Sequence, residues 1–340
     1  MGLGSSNDFT DSYVLHYPKF CDNRLYVYFP ERDKFYTFSI FQHGKKFKFY
    51  AQATISIPNE GIFLIGGQTV DDPLNEDDSP VTMEEASSRL SITNFVGKID
   101  LKKQQNFRVD LDDASPCQNL PEPRYLHALV YSSPYIYVIG GEIAGKGLTQ
   151  SCLRFHTKKK TWENISDISR NASLVEPCGI AIKDSIYVFD TAAKGSNFPK
   201  VYKYYIELDQ WMEIFLHPRN KDLVIPPTLS SSAYQISDKQ ILILSGIKSD
   251  KEYKDKRGFW YVFDSLTEEI REFNYQEGIS HWRKETQGNL DYEDLAMVYA
   301  RVGDRSVKAF GKRGKRWVDM KLMPESNLYN NPVGCCSRKR

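Results

Sequence analysis

Side chains able to hold a metal, move a proton or attack an electrophile are few in this chain and widely scattered. Six histidines (His16, His43, His127, His156, His217 and His281) show no metal-ligand spacing. Six cysteines (Cys21, Cys117, Cys152, Cys178, Cys335 and Cys336) form no CxxC pair and no Cys/His ligand pattern, so reduced thiols and no metal centre are expected. Nucleophile-elbow, zinc-protease, P-loop and dinucleotide fingerprints do not occur, so no cofactor is expected. A catalytic group assembled from distant segments would leave no linear motif, but nothing in the sequence points to one.

The chemistry that remains is charge in patterns. One segment holds Asp71, Asp72, Glu76, Asp77, Asp78, Glu84 and Glu85, and another holds Lys248, Lys251, Lys254, Lys256 and Arg257 against Asp250, Glu252 and Asp255. The acidic segment lacks the glycine-punctuated spacing of a calcium loop. Basic clusters recur at Lys45 and Lys46, at Lys102 and Lys103, at Lys158, Lys159 and Lys160, and at Lys312, Arg313, Lys315 and Arg316. Lysine plus arginine at 45 against aspartate plus glutamate at 44 leaves a net charge of +1, so no global field favours nucleic acid. Any electrostatic selectivity is local.

The two ends carry acylation patterns. The start MGLGSS fits myristoylation at Gly2, with Ser6 in the required place, and the end GCCSRKR offers Cys335 and Cys336 for palmitoylation beside Arg338, Lys339 and Arg340. One acyl chain holds a membrane only marginally, whereas a second chain or a basic patch makes attachment stable. The cysteine pair is not four residues from the end, which excludes prenylation. The first residues lack the apolar run of a secretory signal and no stretch of 18 apolar residues occurs, so a cytoplasmic protein is expected, with an anionic membrane surface as a candidate contact.

The elements that would position these charges are strands. Hydrophobic residues make up 41% and aromatics 13%, with 21 Tyr and 19 Phe, a composition suited to sheets. An apolar run ending in glycine or a small residue recurs as IFLIGG (62–67), IYVIGG (136–141), IYVFDT (186–191) and ILILSG (241–246), with weaker copies RLYVYF (24–29) and LAMVYA (295–300). The clearest unit begins with PRYLHALVY (123–131), turns, continues as IYVIGG, and returns through CLRFH (152–156) and TWENI (161–165). That order describes a four-stranded antiparallel meander. A continuous apolar run such as IYVIG suits a strand covered on both faces, and paired glycines leave room for close backbone approach.

The double glycine, the Arg124 and His127 before it and the Trp162 about twenty residues after it resemble the kelch repeat. The resemblance is strong in the third unit. The second keeps Gly66 and Gly67, the fourth keeps Trp211 with Phe189 and Asp190 in place of the glycines, and the fifth has Ser245 and Gly246. It implies an all-β fold, a six-bladed kelch-type β-propeller of four-stranded antiparallel blades, at 12–54, 55–114, 115–169, 170–222, 223–276 and 277–323, with flexible ends at 1–11 and 324–340. In the sixth unit Ile279 to Arg283 is a poor first strand. In the matching family positions Arg124 and His127 are packing and hydrogen-bonding residues, and Trp162 and Trp211 pack blades together.

In a meander, alternate connections emerge on the same side. The connections after each second strand therefore share one face, which carries the acidic segment (Asp71, Asp72, Glu76, Asp77, Asp78) and the basic one (Lys248, Lys251, Arg257) as candidate partner-binding loops. Turns between third and fourth strands share the other face, where the four lysine- and arginine-rich clusters are expected to form a contiguous positive sector. The resemblance implies a noncatalytic, monomeric scaffold that presents rigid loops to a protein partner. A lipid-anchored membrane scaffold and a carbohydrate-processing propeller are the competing classes.

Overall fold

In a computed structural model of the chain, the structure describes residues 14–16, 24–29, 34–42, 44–47, 49–50, 53–57, 60–70, 90–99, 108–111, 118–169, 172, 174–193, 198–219, 221–225, 227–229, 231–235, 238–244, 247–248, 260–272, 295–301, 306–311 and 316–320. Among these residues every regular element is a strand.

Two sheets are four-stranded antiparallel meanders in chain order. The third unit pairs Ala128–Ser132, Tyr135–Ile139, Cys152–His156 and Thr161–Ile165. The fourth pairs Cys178–Ile182, Ser185–Asp190, Lys200–Tyr205 and Gln210–Ile214. In the fifth, Ser232–Gln235, Gln240–Leu244, Trp260–Asp264 and Glu269–Glu272 follow the same order, and His217–Pro218 adds a parallel strand at the outer edge. In the second, Ala53–Ile57, Gly61–Ile65 and Val96–Ile99 pair in order. Residues 108–110, inside the bounds expected for that unit, run parallel to Ser39–Phe41 of the first sheet, which also holds Val14–His16, Arg24–Phe29 and Lys34–Gln42. The added strand buries Val109, and Leu111 behind it, which explains its recruitment to an edge that would otherwise be open.

The alternation of side chains explains the unbroken apolar runs. On Tyr135–Ile139, Ile136 and Val138 join a cluster with Ile55, Phe63 and Ile65 of the second sheet, while Tyr137 and Ile139 join Ile186, Val188, Tyr202 and Tyr204 of the fourth. On Ser185–Asp190, Ile186 and Val188 face the third sheet, and Tyr187 and Phe189 pack with Ile241, Ile243 and Phe263 of the fifth. A strand sandwiched in this way has no solvated face, so period-two polarity disappears. Aromatic pairs span each junction: Phe63 with Phe155 at 6.3 Å, Tyr137 with Tyr204 at 6.0 Å, and Phe189 with Phe263 at 5.7 Å between ring centroids.

The first strands of successive sheets lie side by side. Ala53–Ile57 is next to Ala128–Ser132, that strand next to Cys178–Ile182, and that one next to Ser232–Gln235. Leu295–Arg301 in turn lies next to Ser232–Gln235 and pairs with Ser306–Gly311. The sequence pattern aligns LAMVYA with second strands, yet here it stands beside a first strand and precedes a strand that ends in glycine. Lys308 interrupts the apolar run of 306–311 and hides its likeness to IYVIGG. The poor first-strand candidate 279–283 lies outside the described residues.

Candidate functional site

The residues with the strongest chemical potential, Arg124 and His127, sit where the second and third sheets meet. Gly66 and Gly141 have φ of 62° and 87°, a region L side chains avoid. A Cβ on Gly66 would collide with the Arg124 carbonyl oxygen, and one on Gly141 would lie 2.5 Å from the Tyr125 carbonyl oxygen. The glycines thus admit the 124–127 backbone between two sheets, and Gly67 N–H donates to the Arg124 carbonyl at 2.8 Å.

The Arg124 side chain is fully buried. Its Nη1 donates to the carbonyls of Gly140 (3.1 Å) and Ser151 (2.8 Å), and its Nη2 donates to Ser151 Oγ (2.7 Å). It therefore ties the end of the second strand to the start of the third. Burial lowers its pKa, with Cys152, Glu122 and Asp167 acting in the opposite direction. Three donors are thus spent on the Gly140 and Ser151 carbonyls and on Ser151 Oγ, while the buried Nε has no hydrogen-bond partner.

His127 is buried against Gly66 and Gly141. Its ring nitrogens form no hydrogen bond of ordinary geometry, so the expected hydrogen-bonding histidine is instead a space-filling neutral ring. Burial first, then the charge of Arg124, push its pKa down to about 3, against a weaker pull from the Ile65 carbonyl.

The two tryptophans join sheets by one repeated device. Trp162 packs at a tilt on Phe155 (4.9 Å) and its Nε1 donates to the Gln118 carbonyl (2.8 Å); Trp211 packs at a tilt on Tyr204 (4.8 Å) and its Nε1 donates to the Ser166 carbonyl (2.8 Å). In both cases the acceptor lies in the segment that leads in from the preceding unit. This agrees with the packing role read from sequence.

The face of the third-to-fourth turns repeats in detail. Residues 157–160, 206–209 and 265–268 each span four positions, and each ends on a left-handed residue: Lys160, Asp209 and Glu268 at φ 59°, 49° and 58°. His156 Nδ1 accepts from Lys158 and Lys159 N–H as Asp264 Oδ1 accepts from Leu266 and Thr267 N–H, so this histidine is a turn cap. Lys158 and Lys159 are exposed, and at the equivalent tips stand Leu208 and Leu266, 64% and 74% exposed. Of the other basic clusters, Lys45–Lys46 is a short strand folded back on Phe41–Gln42, and Arg316 opens the strand Arg316–Met320. Residues 312–315 follow the second described strand of their sheet, not the third. Lys102, Lys103, Lys312, Arg313, Lys315, Gly2, Cys335 and Cys336 lie outside the described residues.

On the opposite face the structure adds a feature that sequence reasoning missed. The segment after a second strand pairs with the segment before the first strand of the same sheet. Phe49–Tyr50 pairs with Gln68–Val70, which pairs with Leu90–Ile92. Arg124–Tyr125 pairs with Glu142–Ile143, which pairs with Gly147–Leu148, and Thr228–Leu229 pairs with Ile247–Lys248. Lys248 thus belongs to a small accessory sheet. Asp71, Asp72, Glu76, Asp77 and Asp78, with Lys251 and Arg257, lie outside the described residues, and Val70 ends the accessory strand that leads directly into Asp71. The signal was slight: a β-branched residue or two just past each glycine, too short to show periodicity.

Residues 123–169 match the kelch motif, the same unit that carries the sequence resemblance. Comparison with curated proteins finds no match.

Proposed function

We propose, on the premise of the kelch motif at 123–169, that this chain is a noncatalytic scaffold whose sheets are blades of a six-bladed propeller and whose loops engage a protein partner. Kelch repeats generally mediate protein–protein interactions and are typically noncatalytic. The radial reading is supported by first strands lying side by side and by blade strands buried on both faces.

The observation that carries the binding reading is the set of accessory sheets. Two of them tie the start of a long connection to the segment before the first strand by backbone pairing, so the acidic segment after Val70 and the basic segment after Lys248 leave from anchored bases. Binding loops on a rigid base lose less entropy on complex formation. Meanwhile Arg124 and His127, the side chains with most catalytic potential, are committed to packing.

The test is affinity purification with mass spectrometry, comparing the full chain with a variant in which 71–85 is replaced by a short glycine linker. The expected result is loss of specific partners from the variant at an unchanged urea midpoint. Partners that all persist overturn the choice of face.

A further inference from the structure

The outer edges of the blades are not covered alike. On the fifth sheet, His217–Pro218, which follows the outer strand of the fourth, runs parallel to Glu269–Ile270. The segment in the same chain position one sheet earlier is 166–169, after Thr161–Ile165, and it does not pair with the outer strand Gln210–Ile214. It is pinned at one residue: Ser166 N–H donates to Asp209 Oδ1 at 2.8 Å, and Trp211 Nε1 donates to the Ser166 carbonyl. The chain then turns inward, with Ile168 N–H on the Gln150 carbonyl at 3.1 Å.

Between the departing segment and the strand edge lies an open groove of about 320 Å³, lined among others by Asp167, Tyr202, Trp211 and Glu213. Asp167 and Glu213 are exposed and take part in no ion pair or hydrogen bond among the described residues. Asp209, the third carboxylate, is already held by Ser166 N–H and by the Tyr204 hydroxyl (2.7 Å). Tyr202 stands directly opposite Glu213 in the strand register, is fully buried, and its hydroxyl has no hydrogen-bond partner. Burial and the nearby carboxylates Glu213 and Asp190 raise its pKa, so that hydroxyl lies in the field of a groove carboxylate. An unpaired hydroxyl beneath two uncommitted carboxylates and an indole is an arrangement suited to a cation that brings its own donors.

We propose that this groove docks an extended basic segment of a protein partner, seating a lysine or arginine side chain beside Trp211, between Asp167 and Glu213, within reach of the Tyr202 hydroxyl. The extended form follows from the fifth sheet, where the chain lays its own short strand along the equivalent edge. The inference rests on the protein-binding reading above but uses the outer edge of the propeller, not the loop face.

The probe is a fluorescein-labelled heptapeptide alternating valine and arginine, titrated by anisotropy at low and physiological salt, with a glutamate version as control. The basic peptide is expected to bind in a salt-sensitive way and the acidic one not to bind. Asp167→Asn with Glu213→Gln is expected to weaken binding about fivefold or more, the scale of two exposed ion pairs. Tyr202→Phe is expected to weaken it about threefold without lowering the urea midpoint, because it deletes a hydroxyl that has no partner in the free protein. Unchanged affinity in the double variant, equal binding of the acidic peptide, or no binding at millimolar peptide overturns the proposal. The variant lacking 71–85 separates the two readings. If it still binds the peptide, the groove stands whatever becomes of the loop, and if it loses the peptide, the groove is refuted while the loop reading survives.

Discussion

Replacing Arg124 separates a structural clamp from a ligand-binding cation. Arg124→Met keeps most of the buried volume and deletes the three donated hydrogen bonds to Gly140 and Ser151, at 3.1, 2.8 and 2.7 Å. Two opposing effects must be weighed. Removing an arginine whose charge is disfavoured by burial gives some stability back, while the Gly140 carbonyl loses its side-chain donor and the Ser151 carbonyl keeps only the longer bond from Gly140 N–H (3.3 Å). Each orphaned buried acceptor costs about 1–3 kcal/mol, and hydrogen bonds to a charged donor contribute about 1.5–3 kcal/mol each. Breaking a buried charged network from one side typically costs about 3–5 kcal/mol, so the loss of the three donated bonds outweighs the relief of desolvation. The expected loss is about 3 kcal/mol in urea unfolding followed by tryptophan fluorescence, and somewhat less for Arg124→Lys, whose single ammonium cannot span both carbonyls. A change below about 1 kcal/mol, or a rise in stability, would refute the clamp.

Three further outcomes follow from the same junctions. Because His127 is held at about 3 against an ordinary 6.5, the unfolded chain takes up a proton that the folded one does not; its contribution is complete above pH 6.5 and is lost as pH falls toward 3. Lowering pH from 6.5 to 5 should therefore cost the wild type about 1.5–2 kcal/mol more than His127→Leu, and parallel pH profiles would contradict this. Gly141→Ala, with φ at 87° and the Tyr125 carbonyl in the way, should cost about 3 kcal/mol or more, whereas Gly145→Ala, with φ at 72° and open space, should cost about 1 kcal/mol; equal thermal shifts would remove the close-approach argument. Burial pushes the thiols of Cys152 and Cys178 up to about 12, so iodoacetamide at pH 8 should modify both in urea and neither in the native protein, as read by peptide mass spectrometry.

Much of the architecture was legible because packing on both faces writes itself into sequence. A strand such as Tyr135–Ile139, with Ile136 and Val138 against one neighbour and Tyr137 and Ile139 against the other, has to be apolar throughout, and its repetition announces a stack of sheets. The glycines at 66 and 141 were legible for a related reason, since only a missing Cβ admits the 124–127 backbone. The packing roles of Trp162 and Trp211 could also be read, because a large ring at a fixed offset from the turn has the same geometric task in the third and fourth units.

Other features depend on contacts whose partners are far apart in the chain and carry no periodic mark. The transfer of 108–110 to the edge of the first sheet is a choice between two strand edges that local propensity rates alike. Accessory sheets two or three residues long are below the length at which alternation can be recognised. The groove arises from Ser166 meeting Asp209 and Trp211 more than forty positions later, while Tyr202 gains its buried, unpaired hydroxyl from a neighbouring sheet. Sequence alone determined which longer segments are core strands and which of their side chains must be buried, because hydrophobic burial and backbone sterics are written residue by residue. Tertiary structure decided which edges are covered, which carboxylates are spent on holding the fold and which remain for a partner, because those outcomes depend on distances that only the assembled sheets define.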